Sequence, residues 1–482
     1  MALSCAAMPT PGETANRWIT GLAAAAALAV LAIQLVVPPV VGLADNGDYQ
    51  RVMHNAGFEH STDDPGERYF AFLRTRYRVL PVGAVRSGHH SSETALALAA
   101  RWMSGARTGG EFDLRVLGGL HAALLVLALA ALLRACRELT VPAQVTAAVL
   151  GVFFFTDVGY AAPFNSFYGQ TASLLFLLLT AAVAARAIRA GGLAGGWLLL
   201  YFALAAAFVA SKPQEAIQGP VLALLGAGLA RVPRRGALRH PAAWLALALC
   251  AFSVWYGKRT PDDLKAAALY QVVFYELLPH SPDPAADAAA LGLDPEWIRH
   301  SGTEAFRPDT PLLDSEFRSR LLHAVGYRKI AAFYLARPRR LAERVARIAP
   351  KTWTLRPSYG NLERSPEHPF LTRTGRFAVW SRLRLRLFGA NAIAALALLF
   401  GGTAAAALAT WRRAPPRGRL FREALLAAAA MSATAFAVCV LTNAPPDFSR
   451  VFYVAQALCD LLLVSVAAWI VQTLASRRRR AT

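Results

Sequence analysis

Long apolar segments alternate with short polar connections over most of the chain. A helix needs ~20 apolar residues to cross a ~30 Å hydrocarbon core, and this pattern predicts about ten membrane-spanning helices. The predicted spans are 18–43, 114–135, 141–158, 169–187, 195–210, 215–231, 241–256, 387–410, 422–442 and 450–474. The stretch Lys212-Pro213-Gln214-Glu215 interrupts the three short spans between 195 and 256, so the helix count is least defined there. The pattern indicates an all-α polytopic membrane protein.

The composition supports a membrane protein and argues against a nucleic-acid-binding protein, a disulfide framework and a metal site. The chain has 482 residues, of which 55% are hydrophobic and only 17% are charged, with a net charge of +21. Nucleic-acid-binding proteins are also basic, but no binding motif accompanies the charge here, so we expect no nucleic-acid partner. The five cysteines show neither a disulfide framework nor the spacing of a metal site.

The distribution of basic residues predicts the orientation. With the N-terminus inside, every strongly basic short loop lies on the cytoplasmic side, as the positive-inside rule requires. The first apolar run is too long for a typical signal peptide and follows only Arg17, so we interpret it as an uncleaved helix. We therefore expect a multi-pass protein of the cytoplasmic membrane with both termini in the cytoplasm. The arginines of these loops are Arg134, Arg137, Arg186, Arg189, Arg231, Arg234, Arg235, Arg239, Arg412, Arg413, Arg417, Arg419, Arg422 and Arg477 to Arg480.

Two long segments then lie outside the membrane. The first, 44–113, contains a capped amphipathic stretch from Ser92 to Trp102 that suits the membrane interface. The second predicts a mostly helical cap, with helices near 262–278, 312–335 and 338–349. The expected organisation is an N-terminal transmembrane module (1–256, including loop 44–113), an extracytoplasmic cap (257–386), and C-terminal helices with a basic tail (387–482).

The stretch Asp45-Asn46-Gly47-Asp48 is the main candidate for chemistry. Two carboxylates leave the first apolar run together, and ionised groups so close to hydrocarbon are functional candidates. The alternative is that the two carboxylates only mark the point at which the membrane segment meets water and have no further function. Other polar residues predicted at the same face are Asp157, Asn165, Gln170, Lys212, Glu215, Asp447 and Arg450. A carboxylate there could accept a proton from a hydroxyl, and nearby cations could hold a phosphate. The combination indicates an anionic, phosphate-bearing lipid substrate.

Several of these residues have structural alternatives. Asp157 is compatible with a simple helix end, Asn165 with a helix cap and Lys212 with snorkelling. Arg450 could pair with Asp447. The basic run before 387 favours headgroup contact over catalysis; it comprises Arg373, Arg376, Arg382, Arg384 and Arg386. The histidines of the first loop lack metal spacing and are interpreted as ordinary loop residues; they are His54, His60, His89 and His90.

The layout resembles the GT-C class of integral-membrane glycosyltransferases. More specifically, it is similar to bacterial glycan-biosynthesis hexose transferases of the WsfD type. The resemblance rests on eight short sequence segments. They are Asn46-Gly47-Asp48, Phe112 to Gly118, Thr156 to Tyr160, Phe164 to Tyr168, Ser211 to Gln214, Leu278 to Pro284, Leu291 to Pro295 and Leu355 to Glu363. They extend over most of the chain. The resemblance implies a GT-C-like bundle, with an acidic catalytic residue just after the first helix.

The resemblance also implies a reaction. A hexose would move from a polyprenyl-phosphate donor to an extracytoplasmic glycan or lipid-linked acceptor. Asp48 would be the general base, with Asp45 and Asp157 positioning the acceptor or holding a divalent cation such as Mg²⁺ or Mn²⁺. Lys212, Arg356 and Arg450 would bind the phosphate, with Asn165, Tyr168 and Gln170 in support.

Two other functions stay open at this stage. A transporter or flippase of a lipid-linked sugar could use the same charged face for recognition. A non-catalytic partner of a glycan assembly complex is kept open by Gln170, because the resemblance leads us to expect an acid there. The resemblance also predicts a different pattern where this chain has Pro445 to Arg450.

Overall fold

The fold is known from a computed structural model that describes residues 11–85, 87–233, 235–444 and 448–481. The pairing of Arg450 with Asp447 that the sequence allows lies outside the described residues. The chain is mostly helical. Its first half contains α1 (Pro11–Leu35), α2 (Gln50–Met53), β1 (Phe58–His60), α3 (Pro65–Arg68), β2 (Arg76–Val79), α4 (Ser92–Ser104), β3 (Glu111–Asp113), α5 (Arg115–Ala135), α6 (Val141–Phe155), α7 (Val158–Ala161), α8 (Gln170–Ala190), α9 (Gly196–Val209), α10 (Gly219–Leu229) and α11 (Pro241–Lys258).

The second half contains ten further helices. They are α12 (Asp262–Tyr270), α13 (Pro284–Ala290), α14 (Ser315–Ala324), α15 (Tyr327–Leu335), α16 (Pro338–Ile348), α17 (Val379–Phe388), α18 (Ala392–Ala397), α19 (Thr403–Trp411), α20 (Pro416–Thr442) and α21 (Tyr453–Ala481). A π-helical segment, Gln271–Leu277, continues α12, and another, Leu398–Gly402, joins α18 to α19. We call the end of the bundle at which α1 ends and α5 begins the cap side.

Six helical segments of the described residues are long and apolar enough to cross a membrane. They are Glu13–Leu35, Arg115–Glu138, Gln170–Ala190, Ala392–Trp411, Pro416–Thr442 and Tyr453–Arg478. A seventh is added if Val141–Phe155 and Val158–Phe164, bent by 57°, form one broken span. The remaining predicted spans correspond to α9, α10 and α11. Since α9 and α10 have 14 and 11 residues, they reach only about 21 and 17 Å. The prediction of about ten spans is therefore not confirmed.

The first helix ends earlier than its apolar run. The run was predicted to span 18–43, but α1 ends at Leu35 and the chain continues without helical structure through Pro38 and Pro39. Proline lacks a backbone N–H and disfavours helix in the residue before it, which explains the early end. Asp45 and Asp48 are thus separated from the helix by a stretch of irregular chain.

The first loop is not all-helical, which corrects the all-α prediction. A three-stranded antiparallel sheet has the order β1-β2-β3, with Tyr77 of β2 between His60 and Phe112. Its strands are three or four residues long. In β2 the residues alternate between exposed and buried, the period-2 pattern of a half-buried strand. The predicted amphipathic helix is present as α4, capped by the Ser91 hydroxyl, which accepts from the Glu93 backbone N–H.

The cap has its own apolar core and the predicted helices. Its buried cluster includes Phe274, Trp297, Phe317 and Phe333. The stretch predicted as one helix over 312–335 is two helices, α14 and α15, which Val325 and Gly326 separate. Glycine is a poor helix former, which accounts for the break.

Close packing at a glycine fixes the entrance to α5. A Cβ on Gly118 would stand 2.0 Å from Oδ1 of Asn165, whereas one on Gly119 would meet no atom within 4 Å. The Asn165 side chain is fully buried and cannot easily move, because its Nδ2 donates to the carbonyls of Leu35 and Val41 at 3.0 and 2.8 Å.

This contrast gives a test of the packing. Gly118→Ala should lower the stability of the folded chain by about 1–3 kcal/mol, the usual cost of overpacking. Gly119→Ala, one residue away on the same helix, should be neutral or stabilise by up to ~1 kcal/mol because alanine is the better helix former. Unfolding midpoints in detergent micelles measure both. Equal midpoints for the two variants would contradict the packing described.

Candidate functional site

The polar stretch after α1 is held by a second segment from far along the chain. The backbone N–H of Ala44 donates to the carbonyl of Gly360 at 2.9 Å, and the backbone N–H of Gly42 donates to the carbonyl of Asn361 at 2.9 Å. The Asn361 side chain donates in turn to the Gly42 carbonyl at 2.9 Å. A Cβ on Gly360 would stand 1.8 Å from the carbonyl oxygen of Ala71, so only glycine fits there. The segment Leu355 to Glu363 therefore packs against the segment that contains Asp45 and Asp48.

Asp45 is built into the turn. Its Oδ1 accepts from the backbone N–H groups of Gly47 and Tyr49 at 2.7 and 3.1 Å, an Asx turn. Its Oδ2 lies 3.1 Å from Nε2 of His60, and the residue is only 2% exposed. Gly47 has a φ of +97°, a conformation that glycine adopts without strain. Because both its oxygens are engaged, the position of Asp45 favours a structural role over the predicted catalytic one. His60, interpreted from sequence as an ordinary loop residue, is its partner.

Asp48 projects from this turn into a group of cations. Its Oδ2 lies 2.7 Å from Nη2 of Arg450, and its Oδ1 lies 2.9 Å from Nη2 of Arg51. Burial raises the pKa of Asp48, but the charges of Arg51 and Arg450 outweigh burial and lower it from 3.8 to about 2. The side chain is 27% exposed, so a small ligand can reach it. Asp48 is therefore a carboxylate that is ionised and paired at neutral pH.

Arg450 is held by aromatic and amide groups as well as by Asp48. Its guanidinium carbon lies 3.9 Å from the centre of the Tyr168 ring and 6.0 Å from that of Tyr359, distances at which a cation is attracted by a ring face. Its Nε donates at 3.5 Å, the edge of hydrogen-bonding range, to Oε1 of Gln170. Gln170 thus contacts the site as predicted, but as a neutral and weakly bound neighbour.

Lys212 adds a third cation. Burial lowers the pKa of Lys212 and so does Arg450, while Glu215 and Asp48 raise it, which places all four groups in one electrostatic neighbourhood. Within the described residues, no carboxylate oxygen lies within 4.0 Å of its ammonium nitrogen. Among the described residues, three cations therefore act on the carboxylate of Asp48, and Glu215 is a second carboxylate that acts on Lys212. We call Asp48, Arg51, Lys212 and Arg450 the Asp48 cluster.

Tyr168 and Asn165 support this cluster from the chain before α8. The Tyr168 hydroxyl accepts from the Asn46 backbone N–H at 2.8 Å and donates to the Ala44 carbonyl at 2.7 Å. Asn165 binds the carbonyls at the end of α1, so its role is structural, although it is not the helix cap that the sequence favours.

Asp157 and Arg356 form a second group. Asp157 is buried and caps α7, its Oδ1 accepting from the Gly159 N–H at 2.8 Å and its Oδ2 from the Ser381 N–H at 2.9 Å. Burial lowers the pKa of Arg356, Arg373 lowers it further and Asp157 raises it. No hydrogen bond or ion pair of the described residues joins Asp157 or Arg356 to the Asp48 cluster. The described contacts thus form two groups, which share no direct contact, from residues that the sequence placed in one cavity.

The basic run before 387 also divides. Arg373, Arg376, Arg382 and Arg386 are exposed, as headgroup contact requires. Arg384 is instead fully buried, with Nη1 2.8 Å from Oδ2 of Asp460. The same oxygen accepts from the Tyr160 hydroxyl and from Nε1 of Trp380. Arg384 is therefore an internal ion-pair residue, which corrects the interpretation of the whole run as a headgroup contact.

The geometry also adds residues that the sequence did not single out. Arg51 contacts Asp48 from three residues along, a spacing that could have been noticed. Tyr359 and Phe70 form an edge-to-face pair with ring centres 5.6 Å apart, and the Tyr359 hydroxyl accepts from Nδ2 of Asn46 at 3.3 Å. Phe70 is 46% exposed at a φ of +62°. No local pattern links Tyr359 to Asn46, 313 residues away.

A resident divalent cation does not fit the donor set of the Asp48 cluster. Among the described residues, no group of three or more histidine, cysteine, aspartate or glutamate side chains could hold a metal ion. Each oxygen of Asp48 faces an arginine, and both oxygens of Asp157 accept backbone N–H groups.

The fold and the site define a polytopic helical membrane protein with a charged cluster at one end of its bundle. The family described as "YfdI N-terminal transmembrane domain" matches residues 13–482, and the chain belongs to this family. Searches of curated proteins and of solved structures gave no match.

The pairing in the Asp48 cluster can be tested by titration. Arg450→Gln removes a charge and a hydrogen bond from the carboxylate, so the pKa of Asp48 should rise from about 2 toward 3.8. In the unchanged protein the pairing stabilises the fold above pH 3.8, and this stabilisation is lost as the pH falls through about 2. In the variant the folded pKa approaches the unfolded value, so this stabilisation should be smaller and should disappear at a higher pH. The carboxyl ¹³C shift of Asp48 measures the pKa.

The matched control is Arg74→Gln, which removes an ion pair with Glu67 in the same loop and should leave the pKa of Asp48 unchanged. If Arg450→Gln left that pKa near 2, Arg450 would not be what keeps Asp48 ionised.

Proposed function

We propose that this chain is a membrane glycosyltransferase that moves a hexose from a polyprenyl-phosphate donor to a glycan acceptor. The resemblance to GT-C enzymes, and to hexose transferases of the WsfD type, implies this class. The proposed reaction takes place on the cap side, which would face away from the cytoplasm in the cytoplasmic membrane. One observation supports it above the others. Asp48 stands partly exposed among Arg51, Lys212 and Arg450, so an acid and an anion site are adjacent.

The excess of positive charge suits a phosphate. The donor carries a phosphodiester with one negative charge, and the leaving polyprenyl phosphate gains a second charge as the bond to C1 breaks. Preorganised cations near that oxygen stabilise the transition state more than the ground state. Arg450 presents a planar fork that suits phosphate oxygens, and Lys212 acts as a compact point charge.

The paired state of Asp48 requires an additional step. A carboxylate with a pKa of about 2 is a weak base. When Arg450 turns toward an incoming phosphate, Asp48 loses its shortest ion pair and its pKa rises. The acceptor oxygen then attacks C1, and the electron pair of the C1–O bond leaves with the phosphate. The acceptor proton passes to Asp48 and from there to water. Attack from the face opposite the phosphate inverts the configuration at C1.

The supporting residues have positioning roles in this scheme. Asp45 and His60 fix the turn that presents Asp48, and Tyr168 holds the same turn through Asn46 and Ala44. The exposed face of Phe70 beside Tyr359 offers a ring on which the apolar face of a sugar can stack, since the face of an aromatic ring carries partial negative charge.

Transfer in liposomes tests the function. The full chain is reconstituted with a radiolabelled polyprenyl-phosphate hexose and a glycan acceptor, and labelled glycan is counted. Asp48→Asn should reduce transfer by about 10²–10⁴-fold, the usual contribution of a general base. Asp63→Asn is the control, because Asp63 lies in the same loop but is 82% exposed and pairs only with surface arginines. Unfolding midpoints show whether Asp48→Asn folds.

A transporter of lipid-linked sugar is the second candidate. The break between α9 and α10, which carries Lys212 and a buried Glu215, resembles the interrupted helices of transporters. The same liposomes distinguish the two functions. Movement of intact donor across the bilayer without sugar transfer would exclude the transferase and support transport. Transfer that persists in Asp48→Asn would remove Asp48 as the base.

A further inference from the structure

An apolar groove follows α1 and α6 on the surface of the bundle. It encloses about 570 Å³ and is lined by five residues of α1, from Ile19 to Val30, and five of α6, from Val145 to Phe153. We call it the α1–α6 groove. Alanines such as Ala23 and Ala148 lie buried within it, while Leu22 and Val149 are 67% and 59% exposed. Small residues at the bottom and larger ones at the edges make a channel rather than a flat face.

The length of the groove suits a chain that lies in one leaflet. Val30 lies eleven positions after Ile19 on α1, which corresponds to about 16 Å along the helix. That is about half of a ~30 Å hydrocarbon core. At the end of the groove nearest the cap side, the lining changes to Thr156, Asp157, Phe377, Val379 and Trp380.

Three arginines flank the segments that line this end of the groove, although none of them lines it. Arg382 follows directly on Ser381, whose N–H binds Asp157. Nη2 of Arg356 donates to the carbonyl of Thr374, three residues before Phe377, and Nη1 of Arg373 donates to the carbonyl of Pro357, next to Arg356. Asp157 is the acid among them, and both its oxygens already accept backbone N–H groups. We call Arg356, Arg373 and Arg382 the arginine rim. An apolar channel whose end lies beside three arginines complements a molecule with a hydrocarbon chain and a phosphate.

The backbone at this end is strained. Phe377 lines the groove at a φ of +52°, and its carbonyl accepts from the Val158 N–H at 2.9 Å. A bulky residue in this conformation costs energy, and such residues cluster at ligand sites. The strain places a phenylalanine ring where the apolar channel meets the rim.

We propose that the α1–α6 groove and the arginine rim bind an isoprenyl phosphate, and that this lipid is the anchor of the glycan acceptor. The assignment to the acceptor rests on the proposed function; the binding of an isoprenyl phosphate does not. The proposed function assigns the donor phosphate to the Asp48 cluster, and no described contact joins that cluster to the rim. The rim is therefore available to a second lipid phosphate.

The chain between the two sites supports the acceptor. Arg356 of the rim is three residues from Tyr359, which contacts Asn46 beside Asp48. Three residues of extended chain span at most about 11 Å. A glycan attached to the phosphate at the rim can follow this segment past Tyr359 and Phe70 to the carboxylate of Asp48. Its lipid stays in the groove meanwhile.

Photolabelling of the full chain tests the site without any donor. The protein is placed in nanodiscs with a polyprenyl phosphate that carries a diazirine in its chain, and labelled peptides are identified by mass spectrometry. Labels should appear on α1 and α6. Ala26→Trp, which fills the groove from an exposed position, should reduce labelling at least tenfold. Ala25→Trp is equally exposed but does not line the groove, and it should label normally.

The role of the arginine rim in phosphate binding is tested by comparing variants of rim arginines with a variant of an arginine outside the rim. Arg356→Gln combined with Arg382→Gln should weaken labelling at least tenfold, because charge-assisted hydrogen bonds to the phosphate are lost. Arg386→Gln, at an exposed position one turn further along α17, should have no effect. Competition shows which lipid feature is recognised. Excess unlabelled polyprenyl phosphate should compete, whereas polyprenol without phosphate and phosphatidylglycerol should compete poorly.

The outcomes separate this site from the proposed function. Equal competition by phosphatidylglycerol would show a general lipid surface, and equal competition by polyprenol would show that the rim is not used; either result overturns the site. Normal labelling of Ala26→Trp overturns it as well. Asp48→Asn should label normally although transfer is lost. If α1 and α6 are labelled as expected but no sugar transfer is observed, the lipid site is supported and the proposed transferase function is contradicted.

Discussion

The backbone pairing of residues 41–44 with residues 360–362 is the constraint on which the site depends. Gly42 and Ala44 donate to a segment more than 300 residues away, and Asn165 binds the Val41 carbonyl from a third part of the chain. Such close approach is possible because glycines stand at 42 and 360, where a Cβ would overlap neighbouring atoms. Without this pairing, Asp48 would lie on a free loop and would have no fixed relation to Tyr359 or Arg450.

The sequence predicted the membrane helices best because the length of an apolar run is a local property. Helices α5 and α8 begin and end within three residues of their predicted positions, and α20 ends where predicted but begins six residues earlier. The end of α1 was missed because hydrophobicity continues past Leu35, although Pro38 and Pro39 signalled it. The small sheet was missed because its strands are short and take their stability from tertiary packing rather than from their own sequence.

The sequence predicted which residues lie at the face of the site, but not which of them contact one another. Topology alone brought Asp48, Lys212 and Arg450 to one face, and the structure places them together. Topology could not distinguish two clusters at that face, so Asp157 and Arg356 were grouped with Asp48. Side-chain partners such as His60 for Asp45 depend on packing between distant segments, and a single sequence does not show such contacts.

Charge balance distinguishes the buried ion pair of Arg384 and Asp460 from the Asp48 cluster. Arg384 and Asp460 are both fully buried, and Tyr160 and Trp380 also bind the carboxylate. One cation meets one anion there, and burying a charge requires such compensation. Around Asp48, the described residues bring three cations together with the partly exposed Asp48 and the buried Glu215. One positive charge is left for water or an anion to offset, and the rim of the groove also has more cations than acids.

Gln170 fits this balance better than an acid would. A glutamate at 170 would compete with Asp48 for Arg450, since Oε1 of Gln170 already lies 3.5 Å from Nε of that arginine. It would also cancel one of the positive charges that suit a phosphate. With a neutral amide there, Arg450 is paired to Asp48 alone among the described carboxylates, and it can exchange that partner for a phosphate. Under the proposed function, the departure at Gln170 therefore makes the state of the base depend on the donor, and it does not require an inactive protein.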